Sequence, residues 1–310
     1  MAPKITTADA AQVLDVSVQA IHKKIKTNEF VHKKSQNRIY FEHETSTKLF
    51  GFKFKRQVVS IQIVKGGTGK TTLTHAIAVR ANLYGARVLC IDLDQQGNLT
   101  QSFNINAADT PVMVDILEEG MSLSDGIVNV SSGLDIVPSR IDNATLDNTL
   151  MLKRINLQKV FTKLLEPVKK NYDLIIIDCP PNLGQSVSAA TLASDLVIIP
   201  VTPEQFSITG LKLSFQEIAN LKESFDIKNI KLKILLNKYD TRTSLSHEVL
   251  SSLIQNKKYH KNMFKTYIRI SQEFPNVTVN RESIYESLKT TSAKEDVDLV
   301  TREILNLKTA

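Results

Sequence analysis

The apolar stretch Val58–Val64 runs without a break into Lys65-Gly66-Gly67-Thr68-Gly69-Lys70-Thr71-Thr72, and that turn runs into a helix-forming stretch, Thr71–Tyr84, closed by Gly85. A buried strand, a glycine-rich turn and a helix in immediate succession are the makings of a phosphate-binding loop. The glycines let backbone N–H groups turn inward around phosphate oxygens, and the helix dipole adds favourable positive potential. In that arrangement Gly66, Gly67, Thr68, Gly69, Lys70, Thr71 and Thr72 bind the nucleotide. Lys70 bridges the β- and γ-phosphates and the Thr71 hydroxyl ligates Mg2+. The general pattern G-x-x-x-x-G-K-[ST] is broken at its first position, which is Val64, and a second lysine, Lys65, follows it.

The texture after Val58 is an alternation of strands and helices. Val88–Leu93 is another apolar strand, and further apolar runs at Leu174–Ile177, Leu196–Val201 and Leu232–Leu236 are each followed by a helical stretch. Unalternated β-branched runs separated by helices predict an α/β fold, a mostly parallel sheet with helices on both faces. Of the 310 residues, 42% are hydrophobic and 23% charged, which excludes a disordered chain, a fibrous repeat and a disulfide scaffold. No run approaches the roughly 18 apolar residues that cross a bilayer, and the N-terminus lacks an apolar signal core, so a cytoplasmic protein is expected. Cys90 and Cys179 show no metal-ligand spacing and are expected as buried thiols.

The charge is placed unevenly. Residues 1–56 hold eleven Lys and Arg against five acids, a net of +6, whereas the other 254 residues hold 28 against 27. Such a head suits a polyanion. It reads as a helix over Thr7–Leu14 capped by Thr6 or Thr7, a turn at Asp15-Val16-Ser17, and a second helix from Ser17 to about Lys26. Two short strands follow, Phe30–Lys33 and Arg38–Phe41, around Lys34-Ser35-Gln36-Asn37. This layout is that of a small winged helix-turn-helix domain, and Ala10–Ile25 resembles the MerR/excisionase-like DNA-binding heads. The resemblance implies that Gln19, His22, Lys23 and Lys26 face the major groove while Lys33, Lys34 and Arg38 reach phosphates from the wing. The alternative is a helical dimerisation module with an incidental basic surface. The predicted organisation is a winged helix-turn-helix domain at 1–50, a basic linker at 51–56 and a nucleotide-binding domain at 57–310.

The form K-G-G-x-G-K-[ST]-T at Lys65–Thr72 resembles the deviant Walker A loop of the ParA/MinD family of dimeric ATPases. That resemblance implies ATP and Mg2+ as cofactors and a homodimer in which Lys65 crosses to the partner's phosphates. Val88–Leu99 (VLCIDLDQQGNL) resembles the family's DxDPQGN motif. Asp94 is thereby implied to orient the attacking water and Asp92 is a further candidate near the metal, with Gln95 standing where the family usually has proline. Leu174–Gly184 (LIIIDCPPNLG) resembles the Walker B strand, which implies that Asp178 holds Mg2+ through water. Leu196–Leu211 (LVIIPVTPEQFSITGL) matches the family closely.

Asn237-Lys238-Tyr239-Asp240 spells the N-K-x-D guanine signature of GTPases, yet Tyr239–Thr243 resembles the ParA-type string at this place. The deviant loop and second motif are the more specific signals and favour ATP, with Asn237 as the polar contact to adenine. By the same resemblance nonspecific DNA is expected on the C-terminal part, at Lys265, Arg269 and Arg281. The last helix, about Ser292–Leu307, mixes acids with bases and spaces Val297, Val300, Ile304 and Leu307 for core packing, so no membrane contact is expected. The implied function is a DNA-partition ATPase, nucleoid-associated, stimulated by a ParB-type partner and able to bind its operator through the head. A nucleotide-switched transcription regulator and a positioning ATPase for a non-DNA cargo are the alternatives.

Overall fold

The computed structural model describes residues 2–35, 37–227 and 229–307, and within them the side chains of all but residues 205–207. A seven-stranded sheet forms the body. Its strands are β4 (Gln57–Ile61), β5 (Val88–Asp92), β6 (Val128–Ser131), β7 (Leu134–Val137), β8 (Leu174–Asp178), β9 (Leu196–Val201) and β10 (Lys231–Leu236), in the order β10-β9-β4-β8-β5-β7-β6. All neighbours are parallel except β6, which pairs antiparallel with β7 at one edge. The sheet is therefore mostly parallel, as the sequence predicts; the short strands β7 and β6, which extend it beyond β5 to the edge, were not anticipated.

Side chains alternate across the sheet as the pleat demands. Val59 and Ile61, Cys90, Leu174 and Ile176, and Ile198 face one cluster, while Val58, Leu89 and Ile91, Ile175 and Ile177 face another. Val197, Ile199 and Val201 join a third cluster under the helix Gln205–Ser224. Both cysteines are buried, free, and pushed up in pKa by that burial. The C-terminal helix, Ser292–Leu305, buries Val297, Val300 and Ile304 against the first cluster, as its spacing implies. No helix among the described residues is long and apolar enough to cross a membrane.

The head begins with β1 (Ile5–Thr6) and continues through α1 (Thr7–Leu14), α2 (Val18–Thr27), β2 (Lys33–Ser35), β3 (Arg38–Phe41) and α3 (His43–Phe50). Thr6 and Asp9 form a capping box on α1, and the Ser17 hydroxyl accepts from Ala20 N–H to start α2. The strands make a small antiparallel sheet in the order β1-β3-β2. The first hairpin strand is shifted from Phe30–Lys33 to Lys33–Ser35, so Lys34 and Ser35 belong to a strand rather than to the turn; Gln36 lies outside the described residues.

The head is packed on the body. Its buried Ile5, Ile21, Ile25, Phe41 and Leu49 belong to the same cluster as the body helix α4 (Lys70–Leu83). The segment 51–56 is no free tether: Phe52 and Phe54 turn inward, Phe52 stacks 5.3 Å from Phe50, and Phe52 meets Tyr84 edge-on at 6.2 Å. Lys53, Lys55 and Arg56 point to solvent.

Candidate nucleotide site

The carboxyl ends of the central parallel strands converge where the strand order reverses around β4, the usual place for a ligand in such a sheet. The loop from Gln62 to Gly69 leaves β4 there and enters α4. Gly67 and Gly69 have φ of +76° and +87°, the left-handed region that only glycine enters without strain. A Cβ at Gly67 would meet nothing within 4 Å, so backbone conformation demands that glycine. At Gly69 crowding adds to it, with Asn237 Nδ2 only 2.5 Å from the place of a Cβ.

Lys70, at the first turn of α4, is 7% exposed. Its ammonium makes one long hydrogen bond among the described residues, to the Lys65 carbonyl at 3.4 Å, and desolvation pulls its pKa down. A buried cation without a close carboxylate calls for an anion. The Thr68 hydroxyl, in the same loop, is buried and has no hydrogen-bond partner among the described residues.

Behind the loop, Asp178 at the end of β8 is 1% exposed and accepts from the hydroxyls of Thr71 at 2.7 Å and Thr74 at 3.1 Å. Burial raises its pKa against the opposing pull of Thr71 and Lys70. Asp92 is its direct neighbour across the β5/β8 register. Burial, reinforced by Asp178, pushes Asp92 up as well. Both Asp92 oxygens are already engaged: Oδ2 accepts from the Thr100 amide and hydroxyl at 3.0 and 2.8 Å, and Oδ1 from Asp94 N–H at 3.1 Å. Asp92 thus braces the loop that carries Asp94, and the suggestion that it approaches a metal gains no support from its contacts.

Asp94 is 9% exposed and turns its Oδ1 to Gln96 N–H at 3.0 Å, while its Oδ2 accepts nothing among the described residues. No cluster of three or more His, Cys, Asp or Glu that could cage a metal occurs among the described residues. The Thr71–Asp178 pair nevertheless fits Mg2+, which keeps several waters and takes one or two protein ligands beside phosphate oxygens.

Three partners of the loop were not anticipated as such. The Lys65 ammonium is ion-paired with Glu204 of the same chain, at the start of the helix Gln205–Ser224. The Asn237 amide donates to the Thr68 carbonyl at 2.7 Å and the Lys238 ammonium to the Gly67 carbonyl at 2.8 Å, so the end of β10 straps the loop. Asn237 therefore supports the loop itself, whatever it offers to a base. Asp147 accepts from Ser186 N–H at 2.7 Å and fixes the turn after Asp178.

In the head, Gln19, His22, Lys23, Lys26, Lys33, Lys34 and Arg38 are all exposed. Lys33 is ion-paired with Glu42 at 2.6 Å, Arg38 donates to the Leu288 carbonyl of the body at 2.6 Å, and the His22 ring lies 3.1 Å from the Thr7 hydroxyl. Gln19, Lys23, Lys26 and Lys34 carry no such bonds among the described residues. Near the C-terminus Lys265 and Arg281 are exposed, Arg281 closing the helix Glu273–Asn280 at φ +54°. Arg269 is different: its guanidinium forks onto Asp296 and reaches Glu295, which ties the segment after β10 to the last helix and leaves little of it for DNA.

Residues 56–234 match the family described as an AAA domain. The Sporulation initiation inhibitor protein Soj of Bacillus subtilis is 34% identical over 215 residues, 68% of this chain and 83% of Soj. The Virulence plasmid ParA family protein pGP5-D of Chlamydia psittaci is 31% identical over 78% of this chain and 92% of its own length. The chain belongs to the ParA/MinD family of partition-type ATPases. The fold of this ParA/MinD-family chain agrees with that of a Cyanothece McdA variant in complex with ATP, at a TM-score of 0.74 and 18% identity over 83% of this chain and 99% of that one. Cobyrinic acid a,c-diamide synthase from Mycobacterium smegmatis, solved with ADP and magnesium, superposes at a TM-score of 0.69 with 25% identity over 81% of this chain and 94% of that one. The family match begins at residue 56 and leaves the head outside it.

Proposed function

We propose that this chain is a DNA-partition ATPase that dimerises with ATP, binds nonspecific DNA in that state and is stimulated to hydrolyse ATP by a ParB-type partner. The observation that carries the nucleotide site is the buried Lys70 ammonium beside an open glycine loop. Lys70 and the loop amides of Gly66–Thr72 hold the phosphates, and Thr71 and Asp178 hold Mg2+, the latter through water. Mg2+ held there would supply positive charge that offsets the charge of the phosphates. Asp94, with Oδ1 fixed by Gln96 and Oδ2 unbonded among the described residues, orients the attacking water. Lys65 leaves Glu204 and completes the partner's site when two copies meet, so hydrolysis waits for the dimer.

The head is a winged helix-turn-helix that binds operator DNA through Gln19, His22, Lys23, Lys26 and Lys34. Lys265 and Arg281 contribute to the nonspecific surface. A second reading, a nucleotide-switched transcription regulator, draws on the packing of the head against the far end of α4. The test is binding of the full chain to a random-sequence duplex at one fixed salt concentration with ATP, ADP or no nucleotide, since affinity for phosphates falls steeply with salt. Tight binding only with ATP is expected. Binding indifferent to nucleotide would overturn the partition cycle and leave the regulator.

A further inference from the structure

Asn237-Lys238-Tyr239-Asp240 follows β10 with the residues and spacing of a guanine-binding signature, and two of its members already brace the phosphate loop. Asn237 donates to the Thr68 carbonyl and Lys238 to the Gly67 carbonyl. Lys238 has φ +55°, a conformation uncommon for a side-chain-bearing residue. The signature is thus in working position at the loop.

Its aspartate is not free. Guanine is read by a carboxylate whose two oxygens accept from the N1–H and N2–H2 donors of the base. Asp240 Oδ1 accepts from Arg242 Nε at 2.9 Å and from Arg242 N–H at 3.0 Å, and Oδ2 accepts from Arg242 Nη2 at 2.8 Å. This is the bidentate fork in which a guanidinium satisfies a carboxylate most completely. The Asp240 side chain is only 16% exposed while Arg242 is 81% exposed, so the arginine lies on the solvent side of the carboxylate and covers it. The fork also holds the carboxyl down to about 2, so the pair stays charged at any working pH.

We infer that Arg242 determines the base preference of the nucleotide site, by occupying the Asp240 oxygens that a guanine would need. A site that offers no acceptor leaves the two guanine donors unpaired on binding, and unpaired polar groups are what make hydrogen-bonding sites discriminate. Adenine presents an acceptor at N1 in place of that donor, and the guanidinium retains N–H groups beyond the two it gives to Asp240. The assignment rests on the reading of the loop as an ATP site and adds to it a residue that chooses the base.

The test is competition for a fluorescent ATP analogue on the full-length protein with Mg2+, using ATP and GTP as competitors. The quantity read is the ratio of the GTP to the ATP dissociation constant within each variant, which does not depend on the active fraction. The wild type is expected to prefer ATP. Arg242→Ala is expected to lower the ratio by about tenfold or more, through tighter GTP. The double variant Arg242→Ala/Asp240→Asn is expected to return it towards the wild-type value, because an amide cannot accept from both guanine donors. A ratio that moves less than about twofold in Arg242→Ala overturns the inference, as does a wild type that takes both nucleotides equally. A wild type that binds no ATP analogue overturns the ATP reading as well, which separates the two failures.

Discussion

The phosphate loop and the head are both basic, and they hold their charge in opposite ways. Lys70 is almost fully buried, with its pKa lowered by desolvation and no carboxylate in direct contact among the described residues. Lys23, Lys26 and Lys34 stand in solvent on α2 and β2. A desolvated cation acts on one anion at short range with little screening, so a single residue carries much of the binding. Exposed cations act together on a polyanion by releasing its counterions, so each contributes a small and salt-dependent share. The first kind of site shows itself in geometry, the second only in the sum of its charges.

The contrast breaks most easily at Lys70. Replacing it with alanine is expected to weaken ATP binding about 100-fold or more, the scale of losing a charged hydrogen-bond partner worth roughly 3 kcal/mol in a buried site. Titration calorimetry with Mg2+ present reads this directly. Without nucleotide the variant should melt no earlier than the wild type, because burying that ammonium is itself costly. A loss below tenfold would put Lys70 on the footing of a head lysine and erase the distinction.

The seam between the two regions offers the next test. Gly85, which ends α4, takes φ +92°, and a Cβ there would lie 2.8 Å from Thr47 Cα in α3. Gly85→Ala meets both backbone strain and a backbone neighbour, and is expected to cost about 2 kcal/mol. Urea unfolding followed by far-UV dichroism should show one transition at a lower midpoint, since head and body share a core. Two separated transitions would mean that the head is an independent unit carried on the ATPase.

What could be read from the sequence follows the same division. The loop was legible because its chemistry is contiguous from Lys65 to Thr72, and because β4, β5 and β8 are long enough to announce themselves. Their parallel register then brings Asp178 to Thr71, 107 residues away. Glu204, Lys238 and Asp147 were not legible as partners, since nothing in their own segments says which loop they will meet. Arg269 looked like one more cation in a basic stretch until the last helix brought Asp296 to it. In the head, β1 is two residues long, and α3 runs through Thr45-Ser46-Thr47, weak helix formers with no side-chain cap at Glu42. Tertiary packing of Leu49 and Phe50 stabilises that helix, and sequence periodicity over eight residues is too short to reveal it.

The smallest effects belong to the head, and they sharpen the comparison by separating its cations from one another. A Lys23 ammonium lying in the major groove releases about one counterion, so Lys23→Ala should flatten the plot of log affinity against log salt by about 0.9, with only a several-fold loss at moderate salt. Lys33 is as exposed, yet its ammonium is already neutralised by Glu42 at 2.6 Å, and that pairing raises its pKa. Binding DNA through Lys33 would first have to free it, so Lys33→Ala should change the slope by less than Lys23→Ala. Both variants are measured on the full chain with a short duplex and no nucleotide, which keeps the proposed ATP-dependent surface out of the readout. Equal slopes would mean that the Lys33–Glu42 pair opens on DNA and that the β2–β3 hairpin adjusts when it binds. A slope unmoved by Lys23→Ala would remove α2 from the interface and leave the head's charge as a solvated face, with Lys70 in its buried loop as the basic group that counts.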